Sequence, residues 1–303
     1  MEAAGLEVVV LDDLSTGDRR RVSSSRFVAG SVLDGDLLKT VLEQHHVSGV
    51  VHLAAKKSVE ESVRDPLVYY RENVEGLRVL LHAATSSGVE ALVFSSSAAV
   101  YGAPVAPLID EGSVCLPINP YGRTKLMGEQ MVADVAAASG LRYASLRYFN
   151  VAGCTSPRLS DRGISNLVPM VFQRLDERRA PLIFGADYAT PDGTCIRDFV
   201  HVDDIATAHV AAAAALAEGR LSSLVANIGR GEGVSVREMI GTIRGVTGTL
   251  QETWAEPTIR PRRPGDPPRV VAATQTIEDV LGWRARWGVR EMVESAWDGW
   301  LRG

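Results

Sequence analysis

The sequence predicts an α/β fold, an open and doubly wound parallel sheet with a smaller lobe at its carboxyl side. Three observations carry that prediction. Short apolar runs alternate with helix-period segments from Leu6 to Leu146, as parallel strands joined by crossover helices require. The run Ala91-Leu92-Val93-Phe94 reads as a buried parallel strand that gives way to Ser95-Ser96-Ser97 at its carboxyl end, where open α/β sheets bind ligands. Finally, 303 residues, 46% hydrophobic and 23% charged, suffice for one large α/β domain plus a smaller one.

Taken in order, Met1 to Gly5 reads as the last turn of a helix with a glycine C-cap, followed by a strand over Leu6–Leu11. Arg26–Val28 reads as a strand, Leu33–His46 as a helix and Gly49–Leu53 as a strand. A helix is predicted from about Pro66 to Ser87. Pro120 suits a helix's first turn, and Leu126, Met127, Gln130, Met131 and Val135 continue a helical pattern. Arg142–Leu146 forms another buried strand ending in Arg147-Tyr148-Phe149-Asn150. From Val151 onward Gly, Pro, Ser and Arg become more frequent, which suits a lobe built from insertions. Phe199–Val202 reads as a strand, Asp203 and Asp204 as structural carboxylates at a helix start, and Leu224–Ile228 as the last strand of the main sheet. Ser235 caps a helix running to about Val246, and Val289–Leu301 closes the chain.

Within the helix that starts at Pro120, Tyr121 and Lys125 are four residues apart and share one face. An adjacent ammonium favours a phenolate, which makes Tyr121 a candidate base. The spacing alone equally fits a tyrosine packed on a helix start beside a solvated lysine. The serines at the end of the preceding strand favour chemistry.

A formal charge of −5 and a pI near 5.7 argue against general attraction to nucleic acid or an anionic membrane. Cys115, Cys154 and Cys195 lack any metal or disulfide spacing, and His45, His46, His52 and His82 lack partner spacing, so no metal site is expected. The most apolar helix, about Ala206 to Ala217, is too short to span a bilayer, and no amino-terminal signal pattern is visible. A cytoplasmic protein is expected.

Four segments, Phe94-Ser-Ser-Ser-Ala-Ala-Val-Tyr-Gly102, Tyr121-Gly-Arg-Thr-Lys125, Leu146-Arg-Tyr-Phe-Asn-Val-Ala-Gly153 and Asp192-Gly-Thr-Cys-Ile-Arg-Asp-Phe-Val-His-Val-Asp-Asp204, occur in an order that resembles the UDP-glucose 4-epimerases. These are members of the extended short-chain dehydrogenase/reductase superfamily. The resemblance implies a Rossmann-like dinucleotide-binding domain, residues 1–150 plus about 197–230, and a substrate-binding lobe, residues 151–196 plus 231–303. It implies an isomerase that epimerises C4 of a UDP-hexose through a transient 4-keto sugar, with NAD as cofactor and a homodimer formed through helices around 66–87 and 120–139. The family's first strand and Gly-x-x-Gly-x-x-Gly turn have no counterpart in the sequence, whose early glycines are Gly5, Gly17, Gly30 and Gly35. A preceding βα unit of about 30 residues is therefore expected.

By the same resemblance Tyr121, Lys125 and Ser97 are catalytic. Asp12, Asp13 and Ser15 end the strand whose acidic residues hold ribose hydroxyls and favour NAD over NADP, although a polar loop with an N-cap would read the same way. Ser31 and Val32 follow the next strand, with Ser31 replacing an adenine-contacting aspartate. Leu53, Ala54, Ala55 and Lys57 line the cofactor; Asn73 matches one of the family's paired asparagines, while Glu72 replaces the other. Phe149 lies beside the nicotinamide. Asn150, Asn166, Leu167, Phe184 and Asp266 touch the sugar nucleotide, and Arg197 and Arg263 suit its diphosphate, since a guanidinium fork matches phosphate oxygens. Val270 stands where some relatives have a bulkier residue, so tolerance of N-acetylated hexoses is expected. The rivals are a 4,6-dehydratase, which needs an acid and base where Ala98 and Ala99 stand, and a catalytically silent sugar-nucleotide sensor.

Overall fold

The computed structural model describes residues 1–22, 26–164, 166–248, 256–263 and 265–303. A 3-10 turn, Glu2–Ala4, closes on Gly5 in the left-handed region at φ 79°. Strands β1 (Val9–Asp12) and β2 (Arg26–Ala29) precede helix α1 (Gly35–Gln44), whose first turn is capped by Asp34 accepting from the Leu37 amide. Strand β3 (Gly49–His52) leads to α2 (Val59–Arg64), capped by Ser58, and α3 (Pro66–Tyr69). A π-helical segment, Tyr70–Glu75, joins α3 to α4 (Gly76–Ser86). The central strand β4 (Ala91–Ser97) is followed by a 3-10 turn at Ala98–Tyr101 and by α5 (Pro120–Ser139), whose cap Asn119 accepts from the Gly122 amide. Strands β5 (Arg142–Tyr148) and β6 (Asn150–Ala152), helix α6 (Leu167–Asp176), β7 (Leu182–Phe184), β8 (Ile196–His201), α7 (Val202–Ala217) and β9 (Ser223–Ile228) come next. The chain ends through β10 (Gly233–Ser235), α8 (Val236–Thr247), β11 (Thr258–Arg260), β12 (Arg269–Val270), α9 (Gln275–Leu281) and α10 (Val289–Arg302).

Two compact units divide the chain. The first comprises residues 1–102, 115–147 and 208–226; the second comprises 103–114, 148–207 and 227–303. The main sheet of the first unit runs β3-β4-β5-β9, with β3 and β4 parallel in the register Val50 to Leu92 and His52 to Phe94. The α/β fold with parallel strands and helices is as expected, and in this unit its parallel strands fall into two groups. Among the described residues β1 and β2 form a separate parallel pair, bonded to no strand of the main sheet. Leu11 of β1 nevertheless packs on the same apolar core as Val50 of β3, a core built on Leu38 and Leu42 of α1, Leu77, Leu80 and Leu81 of α4, Leu92 and Phe94 of β4, and Val132 of α5.

The helix expected over 66–87 forms, but its hydrogen-bond spacing widens at Tyr70–Glu75, where the Gly76 amide reaches the Arg71 carbonyl. The bulge places Asn73 in the interior, where its amide holds the Lys56 backbone at both ends, accepting from its N–H at 2.7 Å and donating to its carbonyl at 3.0 Å.

In the second unit β8 is the hub of a sheet that pairs it antiparallel to β10 and parallel to β12 and β6. Its core gathers Val168, Val171 and Phe172 of α6, Met239, Ile240 and Ile243 of α8, and Met292 and Val293 of α10. Ser235 and Glu238 form a reciprocal capping box at the start of α8, as the sequence predicts for that helix start. Asp204 accepts the Arg286 and Trp287 amides, so its role is structural, as expected, but is exerted on the chain's carboxyl-terminal segment as well as on the start of α7. No helix among the described residues is long and apolar enough to cross a membrane.

Candidate active site

The three serines that end β4 all engage the elements around them, and two of them reach α5 through side chains. Lys125 Nζ donates to the Ser95 carbonyl at 2.7 Å. Ser96 Oγ donates to Glu129 Oε1. Ser97 Oγ accepts from the Ala99 amide at 3.2 Å and lies close enough to the Tyr121 phenol to lower its pKa. Tyr121, Lys125 and Glu129 are spaced four residues apart along α5 and all three are buried. Gly122 and Gly128 let that helix approach so closely. A Cβ on Gly122 would stand 2.5 Å from the Ala99 carbonyl oxygen, and one on Gly128 would stand 2.6 Å from the tip of the Phe94 ring.

Burial sets the electrostatics of this cluster. The sequence leads one to expect a phenol made acidic by its neighbouring ammonium; the structure corrects this. Desolvation raises the Tyr121 pKa above that of free tyrosine, opposed by the Ser97 hydrogen bond, and pushes Lys125 down to about 8, opposed by the charge of Glu129. The ammonium is aimed at the Ser95 carbonyl and lies 6.0 Å from the Tyr121 ring centre, while 5.2 Å separates it from the face of Phe94. His52 stacks on the other aromatic neighbour, with its ring 6.0 Å from Phe94, and burial together with the Lys125 charge drives it down to about 3. Tyr69 meets Tyr121 edge to face at 6.5 Å and donates its own hydroxyl to Glu61 at 2.8 Å.

The residues expected to hold a dinucleotide fall into two groups. Asp12 and Asp13 are exposed at the carboxyl end of β1, where they accept the Leu14 and Ser15 amides at 2.7 and 2.9 Å. Hydrogen bonds from Ser15 hold Asp13 below the usual carboxylate range. Ser31 Oγ accepts the Leu33 amide within the turn before α1, and Val32 is half-buried beside it. Leu53 and Ala54 are exposed just past β3, with Ala55 half-buried and Lys57 exposed. Exposed carboxylates at one strand end and an exposed leucine with alanines at another fit the ribose and the apolar faces of NAD. Asn73 is buried, and its amide ties the loop after β3 to α5 by accepting from the Lys56 amide and donating to the Lys56 carbonyl and Thr124 Oγ1. Phe149, in the second unit, is buried, with its amide on the Ile228 carbonyl.

Among the expected substrate residues, Arg197 of β8 forms an ion pair with Asp266 and donates to the Ile196 carbonyl at 2.8 Å. Val270 of β12 is its register partner, so these three residues meet. Arg263 stacks its guanidinium 4.0 Å above the Phe184 ring. Asn166 donates to Asp161 at 2.9 Å and Leu167 opens α6. Asn150 is exposed at the start of β6, opposite Phe199. Arg197 and Asp266, each expected to touch substrate, are ion-paired with one another. Sequence reasoning missed Glu129, Arg147 and Tyr101. The available signal was an acid two turns past Tyr121 on the same face, and an arginine inside a buried strand end.

Comparison with known proteins adds the following. A model of the NAD dependent epimerase/dehydratase family matches residues 1–229. The UDP-glucose 4-epimerase of Azospirillum brasilense is 46% identical over 286 residues, 92% of this chain and 80% of the relative, and that of Halalkalibacterium halodurans is 42% identical over 300 residues, 97% and 88%. The crystal structure of the Stenotrophomonas maltophila UDP-glucose 4-epimerase with bound NAD and formylated UDP-arabinopyranose superposes with a TM-score of 0.93 at 36% identity, covering 98% of this chain and 91% of that one. The Bifidobacterium longum enzyme in complex with NAD+ and UDP superposes with a TM-score of 0.91 at 32% identity, covering 99% and 92%.

Proposed function

The chain belongs to the NAD dependent epimerase/dehydratase family, and from that premise we propose how it works as an isomerase that inverts C4 of a UDP-hexose. NAD is the cofactor; bound, it would supply a reversible hydride acceptor for C4, so that no net oxidation would result. The observation that carries the reading is the buried Tyr121 phenol with Lys125, also buried, one turn further along the same face of the helix.

Tyr121 takes the proton of the 4-hydroxyl as the carbon gives up its hydride and becomes a ketone, then returns the proton after the sugar has turned and been reduced on its opposite face. Ser97 hydrogen-bonds the phenol and the sugar oxygen through one hydroxyl, and so carries the proton between them. Lys125 supplies the positive charge that offsets the cost of forming a buried phenolate. Asp12 and Asp13 hold the adenosine ribose, and Leu53, Ala54, Ala55 and Lys57 cover the middle of the dinucleotide. Arg197 and Arg263 take the diphosphate of the sugar nucleotide, with Asp266 released from Arg197 to accept a ribose hydroxyl. Asn150, Asn166, Leu167 and Phe184 hold the rest of the nucleotide.

A dehydratase reading is disfavoured by the methyl side chains of Ala98 and Ala99, which cannot serve as the acid and base that elimination requires. A silent sensor would have no use for a buried lysine on the same face as the phenol. Val270, a small residue beside Arg197, suits tolerance of N-acetylated hexoses. The chain works as a cytoplasmic homodimer. Val63 and Leu67, more than half exposed on α2 and α3, and Met127 on α5 supply an apolar face for the second copy. Incubation with UDP-galactose and NAD yields UDP-glucose in this account, and Tyr121→Phe lowers that turnover by ~10² to 10⁴-fold. Turnover by the phenylalanine variant at the native rate would refute the assignment.

A further inference from the structure

Behind the Ser97, Tyr121 and Lys125 cluster lies a buried ion pair for which the proposed reaction has no stated use. Arg147 of β5 grips Glu129 of α5 with two parallel bonds, Nε to Oε1 at 2.9 Å and Nη2 to Oε2 at 2.6 Å. Its remaining nitrogen donates to the Tyr101 hydroxyl at 2.9 Å, and the guanidinium lies 5.0 Å above that tyrosine's ring. Ser96 completes the carboxylate's shell from β4. Both charged side chains are 7% exposed, so neither can be explained as a solvated surface pair. Replacing such a pair by apolar residues is often neutral or stabilising, which makes stability alone a weak reason for its presence.

The placement suggests a stronger reason. Glu129 joins β4, β5 and the 3-10 turn at Ala98–Tyr101 to α5, and these are the elements that set Ser97 against Tyr121. We propose, resting on the epimerase reading above, that Glu129 is a positioning residue for this reaction: it locks the register of α5 against β4 and places a buried negative charge one helical turn beyond the Lys125 ammonium. Other titratable groups also stand around the wider cluster of Ser95, Tyr121, Lys125 and Arg147. His52 comes from β3, Tyr69 from α3 with Glu61 of α2 behind it, Tyr101 from the 3-10 turn, and His209 of α7 through the Ser95 hydroxyl. Cys115 lies near Arg147, with its thiol raised by burial. Glu129 stands one turn beyond Lys125 on the same face of α5, and its charge favours the protonated lysine against burial.

The pH profile of kcat/KM for UDP-galactose tests this. Glu129→Gln keeps the shape but removes the charge and turns one of the two acceptor oxygens into a donor, and is expected to move the alkaline limb down by about two pH units, the effect of a charge ~6 Å away at an effective dielectric of ~20. Ser96→Ala loosens the register without changing charge and should lower the rate while leaving the limb in place. Glu129→Asp retains the charge and should restore the native limb. Should Glu129→Gln fail to fold, Glu129→Gln with Arg147→Met removes both ions, leaves none unpaired, and should again lower the limb. An alkaline limb that coincides with the native one in the soluble glutamine variant overturns the proposal. Failure of the native protein to convert UDP-galactose would instead overturn the epimerase reading itself.

Discussion

Gly122→Ala isolates the dependence of catalysis on a single close approach. Gly122 follows Tyr121 in the first turn of α5, and a Cβ there would stand 2.5 Å from the Ala99 carbonyl oxygen and 3.0 Å from the Pro117 Cβ. An ordinary carbon to oxygen contact is about 3.3 Å, so the helix start must lift by roughly 0.8 Å. The obstacle is backbone, which cannot rotate away like a side chain. It belongs to the same turn that Ser97 caps, so the lift falls directly on the distance between Ser97 and Tyr121. Overpacking costs ~1–3 kcal/mol, and about 1 kcal/mol returns from the better helix propensity of alanine. Net destabilisation is thus ~0–2 kcal/mol, and the protein stays folded. Misplacement approaching 1 Å at reacting groups costs ~10²-fold in rate, about 2.7 kcal/mol of barrier. The assay pairs kcat for UDP-galactose conversion with urea denaturation of the same preparation. A variant with kcat within twofold of native would refute the claim that this contact sets the catalytic geometry.

The remaining predictions are more direct. Arg197→Gln removes a charged donor from the proposed diphosphate contact and should raise KM for UDP-galactose by ~10 to 100-fold with a smaller effect on kcat, as a lost charge-assisted hydrogen bond of ~1.5–3 kcal/mol requires; an unchanged KM would reassign the residue to its structural pair with Asp266. His52 is pushed down to about 3 from an ordinary value of 6.5, so the unfolded chain binds its proton first and stability is lost as pH falls from 6.5 towards 3, by ~1.4 kcal/mol per unit. Denaturation of His52→Phe across that range should show a slope smaller by one proton, and identical slopes would show that His52 is not buried as a neutral ring. Leu67→Glu places a charge on a side chain that is 77% exposed and should convert dimer to monomer in analytical ultracentrifugation at unchanged thermal stability; a persisting dimer would place the interface elsewhere.

Local rules carried the sequence reading far. Periodicity located β4, α5 and β5, Pro120 marked the start of α5, and Ser235 marked that of α8. The four-residue spacing of Tyr121 and Lys125 placed both on one helix face before any coordinates. Interruptions were harder to read. The widened turn at Tyr70–Glu75 depends on Asn73 finding the Lys56 backbone and Thr124, partners 17 and 51 residues away, and nothing in the local pattern reports them. The pairing of Arg197 with Asp266, 69 residues apart, was hidden for the same reason, so two residues read as separate ligand contacts proved to be each other's partners.

By itself the sequence determined which elements form and which reactive groups share a helix face, because helix and strand periods and capping preferences act over a few neighbouring residues. Only the tertiary structure decided the ionisation of those groups. Burial by distant elements raises the Tyr121 pKa and lowers that of Lys125, while Glu129, itself held by Arg147 and Ser96, pulls the lysine the other way. Solvent exclusion is a property of packing, and no spacing along the chain can express how much water a side chain has lost.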